Sequence, residues 1–271
     1  MGQHFLVDRR LPGRILRAAA VGPEDTVIEI GPGRGALTRQ LVERAREVVG
    51  VEMDPELAAS LPEALGYPGN LRVVQADARE VDTGSLIPEG IPAGGSYKLL
   101  GNLPYYAANP ILRHFLEEVE LKPSRIVVMV QREVAESMVG AGGRMSLLAV
   151  SIHLYAVPRI ICDVPPSAFR PSPKVTSSVV RLDPHPVQAI EPQEAPDFFR
   201  VVRAGFSAPR KQLRNSLGLG LGIPASESQG LLESASLDPA RRPGSLVVEE
   251  WRALWAVVRD HHVRSGGRPG V

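Results

Sequence analysis

Apolar positions recur in two rhythms along the first half of the chain. Residues 26–30, 47–52, 71–75, 97–102 and 126–130 are short apolar runs of strand length, and stretches with apolar residues at helical spacing lie between them at 36–45, 55–65, 110–118 and 133–139. Asp54 followed by Pro55 has the form of an N-cap and first helical position. Strands alternating with helices predict parallel βαβ units with right-handed crossovers, and so an open α/β sheet with its ligand crevice at the carboxyl ends of the strands. After a helical pattern at 146–155, two strand-like runs at 158–164 and 175–182 flank a proline-rich stretch, which predicts an antiparallel edge on the sheet. Residues 183–196 are proline-rich and polar and read as a linker. Helical patterns follow at 197–206, 210–217, 224–234 and 248–263. The expected organisation is an α/β domain over residues 1–185 and a small helical domain over 196–271.

Composition adds limits. The 271 residues are 44% hydrophobic and 23% charged, as in ordinary globular chains. No stretch is apolar for the roughly 18–20 residues of a membrane span, and the first residues lack the basic start and apolar run of a signal peptide. The single cysteine, Cys162, excludes an internal disulfide and suits a reducing compartment, so a cytoplasmic location is expected. No Cys/His cluster has metal-ligand spacing, and the adjacent His261 and His262 point apart on a helix, so no metal is expected. The net charge of +1 is uneven: residues 1–196 carry 20 Lys/Arg against 23 Asp/Glu, residues 197–271 carry 11 against 7. A basic tail on a near-neutral body suits phosphate contacts.

The first strand ends in Glu29-Ile30-Gly31-Pro32-Gly33-Arg34-Gly35. Glycines at such a strand-to-helix turn let the backbone bend sharply and come close to a ligand. Glu52 ends the second strand, 21 positions after Gly31, and offers a carboxylate to two ribose hydroxyls. Three features favour S-adenosylmethionine over a dinucleotide. Pro32 removes a backbone donor from the turn, Glu29 would repel a phosphate but accept from an ammonium, and Asp77 ends the third strand where it could accept an adenine amine.

Asn102-Leu103-Pro104-Tyr105 ends the fourth strand beside that crevice. The lone pair of an adenine amine is delocalised into the ring, which makes it a poor nucleophile. Two acceptors on its hydrogens, the Asn102 side-chain oxygen and the Leu103 or Pro104 carbonyl, would draw the nitrogen towards tetrahedral geometry and aim the lone pair at a sulfonium methyl. Pro104 stiffens the backbone and adds no competing donor. Tyr105 offers a ring on which an extruded base can stack, and its electron-rich face tolerates a nearby cation. No general base is needed, so the chemistry rests on positioning and electrostatics.

With these motifs in order, the chain resembles the ribosomal RNA adenine dimethyltransferase family, and most of all its small-subunit branch, which dimethylates two adjacent adenosines near the 3′ end of small-subunit rRNA. Gly2-Gln3-His4-Phe5-Leu6 resembles the family's opening motif, residues 165–174 with Val175 its late Pro-Pro-x-Ala-Phe-x-Pro-x-Pro-Lys-Val signature, and residues 206–217 the basic helix of its tail domain. The resemblance implies a Rossmann-like, S-adenosylmethionine-dependent methyltransferase sheet, mostly parallel with an antiparallel edge, and a small C-terminal helical RNA-binding domain. It implies that His4, Leu6, Gly31, Glu52, Asp77 and Asn102 line the cofactor, that Phe169 helps sandwich the flipped adenine, and that Lys174 contacts RNA. The implied partners are small-subunit rRNA and the immature small subunit, with a role in ribosome biogenesis; a monomer is expected. The chain departs from the family in three places: His4 replaces the usual asparagine, Ala107-Ala108-Asn109 replaces a commoner Ile-Ser-Thr, and the usual basic leader does not precede Gly2.

Arg210, Lys211 and Arg214 are expected on one helix face, flanked by Arg200 and Arg203, as phosphate contacts that carry no sequence information. Two alternatives accompany the leading reading: a large-subunit rRNA adenine methyltransferase of the antibiotic-resistance type, and an assembly factor acting chiefly by binding. A nicotinamide dehydrogenase is a poor third, for want of a proton-transfer residue.

Overall fold

The computed structural model describes residues 4–87, 96–104 and 107–264, with side chains as far as 261. Gly2, Gln3 and Tyr105 lie outside the described residues. Contacts divide the chain into two compact units, residues 1–139 with 155–186, and residues 140–154 with 187–271. The segment 140–154, which the sequence pattern leaves inside the first domain, thus clusters with the C-terminal helices.

In the first unit the strands are β1 (Phe5–Leu6), β2 (Thr26–Ile30), β3 (Glu47–Glu52), β4 (Leu71–Gln75), β5 (Lys98–Asn102), β6 (Arg125–Gln131), β7 (Ala156–Val164), β8 (Phe169–Arg170) and β9 (Ser177–Pro184). Seven of them form one sheet in the order β4-β3-β2-β5-β6-β9-β7. Its first five strands are parallel, while β9 runs antiparallel to both β6 and β7. The antiparallel edge is as the sequence predicts. The strand order reverses between β2 and β5, and at such a switch point the loops diverge and leave a crevice.

The helices of this unit are α1 (Leu11–Ala19), α2 (Thr38–Val42), α3 (Pro55–Ala64), α4 (Thr83–Leu86), α5 (Ala108–Arg113), continued by a π-helical turn over His114–Glu118, and α6 (Arg132–Val139). Asp54 caps α3 as expected, its side chain accepting from Glu56 N–H at 3.0 Å and Leu57 N–H at 3.3 Å. The sequence pattern misses α1. It has no side-chain cap, yet it places Leu11, Ile15, Leu16 and Ala19 in one buried cluster with Val27, Val127, Met129 and Val179 of the sheet. Each fully buried Leu or Ile there contributes about 1.5–3 kcal/mol, which outweighs the missing cap. Also missed is the pairing of β1 with β8, Phe5 opposite Arg170 and Leu6 opposite Phe169.

The second unit comprises α7 (Leu147–Tyr155, all but its last residue), α8 (Ala195–Gly205), α9 (Leu213–Leu221), α10 (Ala225–Ser234) and α11 (Val248–Arg264). Its core holds Trp251, fully buried and stacked on Phe206 with ring centroids 5.4 Å apart, and Trp255, whose Nε1 donates to Asp197 Oδ2 at 2.8 Å. The expected linker is partly ordered, since β9 extends to Pro184 and α8 begins at Ala195 after a 3-10 turn over Pro192–Glu194. No helix among the described residues is long and apolar enough to cross a membrane.

One expectation is corrected here. Arg210 and Lys211 do not lie on a helix. They occupy a turn behind Pro209 in which Lys211 N–H donates to Ala208 O at 2.9 Å, and α9 begins only at Leu213 after the extended Gln212. Of the three basic residues only Arg214 is helical, and its Nη1 donates to Gln229 Oε1 at 3.4 Å. After α8 the backbone closes through successive turns, with Ser207 N–H donating to Ala204 O at 3.1 Å and Lys211 N–H to Ala208 O at 2.9 Å, and these hydrogen bonds take the place of a helical first turn at Arg210 and Lys211.

Candidate functional site

At the switch point the ends of β2 and β5 open onto a cavity of about 740 Å³ within the first unit. Gly31 and Gly33 make the turn after β2 with φ of +65° and +56°, a region that residues with a Cβ rarely enter. Gly101 answers a different need. It faces Ile30 across β2 and β5, and a Cβ there would sit 2.5 Å from the Ile30 carbonyl oxygen. Any larger residue would push the two strands apart where the site is built.

Four carboxyl or amide groups reach the cavity from successive strand ends. Glu52 accepts Gly33 N–H at 3.0 Å on one oxygen and Asp54 N–H at 3.1 Å on the other, so it fixes the glycine turn, and it also lines the cavity. Glu29 is buried, and its Oε2 has no hydrogen-bond partner among the described residues. Burial pushes its carboxyl up to about 8; the Thr38 hydroxyl opposes that shift and the charge of Glu52 adds to it. A buried oxygen without a partner calls for a hydrogen-bond donor, and a cationic one would favour the charged form of the carboxyl. Asp77 is held below the usual carboxylate range, chiefly by side-chain hydrogen bonds from Arg79. Asn102 ends β5 and turns its Nδ2 towards the His4 carbonyl in a long contact of 3.5 Å.

The other predicted site residues are placed as follows. His4, Leu6, Gly31, Leu103, Pro104 and Phe169 also line the cavity. His4 Nδ1 lies 2.7 Å from the Pro171 carbonyl, so the chain before β1 is tied to the loop that follows β8. Phe169 is 1% exposed; it belongs to the buried cluster and also lines the cavity. Leu103 is buried and donates its N–H to Met129 O at 3.1 Å, and the Pro104 carbonyl accepts Ala107 N–H at 2.9 Å. Lys174 is exposed and does not line the cavity. Arg210 and Lys211 are exposed in the second unit, Arg214 half-buried there. No group of three or more metal-ligating side chains occurs among the described residues.

Sequence reasoning overlooked Phe5, Arg34, Met53 and Arg79, all on the cavity wall. The Arg34 guanidinium lies 4.3 Å from the centroid of the Phe5 ring, which pins β1 over the glycine turn. Met53 is 46% exposed directly after Glu52, as an apolar surface for a base would be. The available signal was adjacency: each sits within two residues of one already singled out.

A sheet of this order, with a glycine turn at its switch point and acidic groups at the following strand ends, defines a Rossmann-like, S-adenosylmethionine-dependent methyltransferase. The family model for ribosomal RNA adenine dimethylase matches residues 1–242, and the chain belongs to that family. It is similar to the ribosomal RNA small subunit methyltransferase A of Dehalococcoides mccartyi, 41% identical over 261 residues that cover 96% of this chain and 88% of that one. It is also similar to the protein of that name from Moorella thermoacetica, 40% identical over 93% of this chain and 89% of the relative. Among solved structures, the 23S rRNA methyltransferase ErmE superposes with a TM-score of 0.73 at 28% identity, covering 94% of this chain and 99% of its own. A dimethyladenosine transferase from Plasmodium falciparum shares the fold with a TM-score of 0.78 at 24% identity, over 97% and 98% of the two chains.

Proposed function

We propose that this chain transfers methyl groups from S-adenosylmethionine to the N6 amines of two adjacent adenosines near the 3′ end of small-subunit rRNA, giving N6,N6-dimethyladenosine during small-subunit biogenesis. The observation that carries the reading is the position of Asn102 and Leu103 at the end of β5, on one cavity with Glu29, Glu52 and Asp77. S-adenosylmethionine supplies an electrophilic methyl on its sulfonium. Glu29 meets the ammonium of the methionine moiety, Glu52 the ribose hydroxyls, and Asp77 the adenine amine. The Asn102 Oδ1 and a backbone carbonyl accept the two hydrogens of the target amine. Leu103 is the better second acceptor, because the Pro104 carbonyl already takes the Ala107 N–H. Tyr105 and Phe169 hold the flipped base from its two faces. Arg210, Lys211 and Arg214 meet RNA phosphates from the second unit, Lys174 from the first. The protein acts in the cytoplasm on immature small subunits, as a monomer and without a metal.

The likeness to ErmE gives the large-subunit reading a specific footing. Primer-extension mapping in a deletion strain separates the two. The proposal expects the mark to vanish from small-subunit rRNA; a loss confined to large-subunit rRNA contradicts it.

A further inference from the structure

We propose that Arg79 sets the selectivity of the cofactor site by competing with the cofactor's adenine amine for Asp77, which rests on the reading of Asp77 given above. Asp77 follows β4, and both it and Arg79 line the cavity. Asp77 Oδ1 accepts the Arg79 backbone N–H at 2.9 Å and Arg79 Nε at 2.9 Å. Asp77 Oδ2 accepts the same Nε at 3.0 Å and also Arg79 Nη2. A carboxylate has about four lone-pair directions, and three donor hydrogens of a single residue, its backbone N–H, an Nε–H shared between the two oxygens and an Nη2–H, already engage both oxygens. An amine hydrogen reaching either oxygen of Asp77 therefore competes with a guanidinium N–H.

The backbone of the turn is fixed, with Glu80 N–H donating to Asp77 O at 3.0 Å, so the Arg79 side chain is the part that yields. The pair is open to solvent, the two side chains being 44% and 25% exposed. An ion pair this exposed is worth a factor of about two to five in an equilibrium constant. Asp77 and Arg79 together present an acceptor and a donor at the same edge of the cavity. A purine bearing an amine at its six position meets the acceptor and pushes Arg79 aside. A purine bearing a carbonyl there is repelled by Asp77 and received by the guanidinium.

The test compares binding of S-adenosylhomocysteine and of its deaminated analogue S-inosylhomocysteine by calorimetry, with wild type, Arg79→Ala, Arg79→Gln and Asp77→Asn. Competition predicts that Arg79→Ala binds S-adenosylhomocysteine about two- to fivefold more tightly and S-inosylhomocysteine more weakly than wild type. Arg79→Gln should move both affinities in the same directions by less. Weaker or unchanged binding of S-adenosylhomocysteine to both Arg79 variants overturns the proposal. Asp77→Asn tests the underlying reading separately: if it leaves S-adenosylhomocysteine affinity unchanged, Asp77 does not take the adenine amine at all, whatever Arg79 does.

Discussion

The pairing proposed for Glu29 and the cofactor's ammonium would make cofactor affinity a function of pH, by an amount that follows from the burial of Glu29. Its carboxyl is pushed up to about 8 from an ordinary 4.5. At pH 7 about ten molecules in eleven then carry a protonated Glu29, whereas pairing with an ammonium requires the carboxylate. Binding must expel that proton, so the apparent affinity at pH 7 is about elevenfold below its limit, and at pH 6 about a hundredfold below. Between pH 6 and 8 the affinity for S-adenosylhomocysteine should rise about fiftyfold. Calorimetry at pH 7 in two buffers of different ionisation enthalpy should register release of about 0.9 proton per ligand. Glu52, Asp77 and His4 also line the cavity, so Glu29→Gln is the control, with an expected flat profile from pH 6 to 8. The same shift has a stability counterpart. With a folded value above the unfolded one, the protein holds its extra proton between about pH 4.5 and 8, and stability falls as pH rises through that window. The cumulative loss above pH 8 is on the order of 5 kcal/mol, so Glu29→Gln should be the more stable protein at pH 8 while binding the ligand less well. Wild-type affinity that does not change from pH 6 to 8, with no proton released, would refute the reasoning.

Further consequences concern the rest of the site. Glu52→Gln keeps the shape but loses charge-assisted acceptance, and should weaken cofactor binding about 10- to 100-fold while RNA affinity by filter binding is unchanged; equal losses in both would contradict the assigned role. Gly101→Ala forces a methyl against the Ile30 carbonyl, and denaturant unfolding should show a loss of about 1–3 kcal/mol. A neutral result there would mean that β2 and β5 are free to part. Charge reversal at Arg210 and Lys211 should lower the slope of log affinity for RNA against log salt by about one to two, and an unaltered slope removes both from the interface.

Much of this was legible from the chain because its signals are local. Thr26–Ile30, Glu47–Glu52 and Leu71–Gln75 are read to the residue, being apolar runs bounded by turn-forming or polar residues. The strands β1 and β8 are two residues each and exist only because they pair with one another across more than 160 positions, which no local pattern can announce. The helix α1 has its apolar residues Leu11, Ile15, Leu16 and Ala19 at helical spacing, but it is short, contains Gly13 and has no capping side chain to mark its start. At Arg210 and Lys211 the basic, helix-tolerant composition pointed one way and the turn behind Pro209 went the other. Within the site, residue identities were readable but their states were not. Nothing in the order of letters reveals that Glu29 is sealed from water or that Arg79 folds back onto Asp77.

The central claim, that Asn102 and its neighbours present an adenine amine to the cofactor methyl, is tested most directly by mass spectrometry of small-subunit rRNA. Purified wild-type protein and Asn102→Ala are each incubated with immature small subunits and isotopically labelled S-adenosylmethionine. The account predicts two labelled N6,N6-dimethyladenosines near the 3′ end with the wild type, and none with a folded Asn102→Ala that still binds S-adenosylhomocysteine. Labelled dimethyladenosine at wild-type levels from the variant, or label on any other base with the wild type, would contradict it.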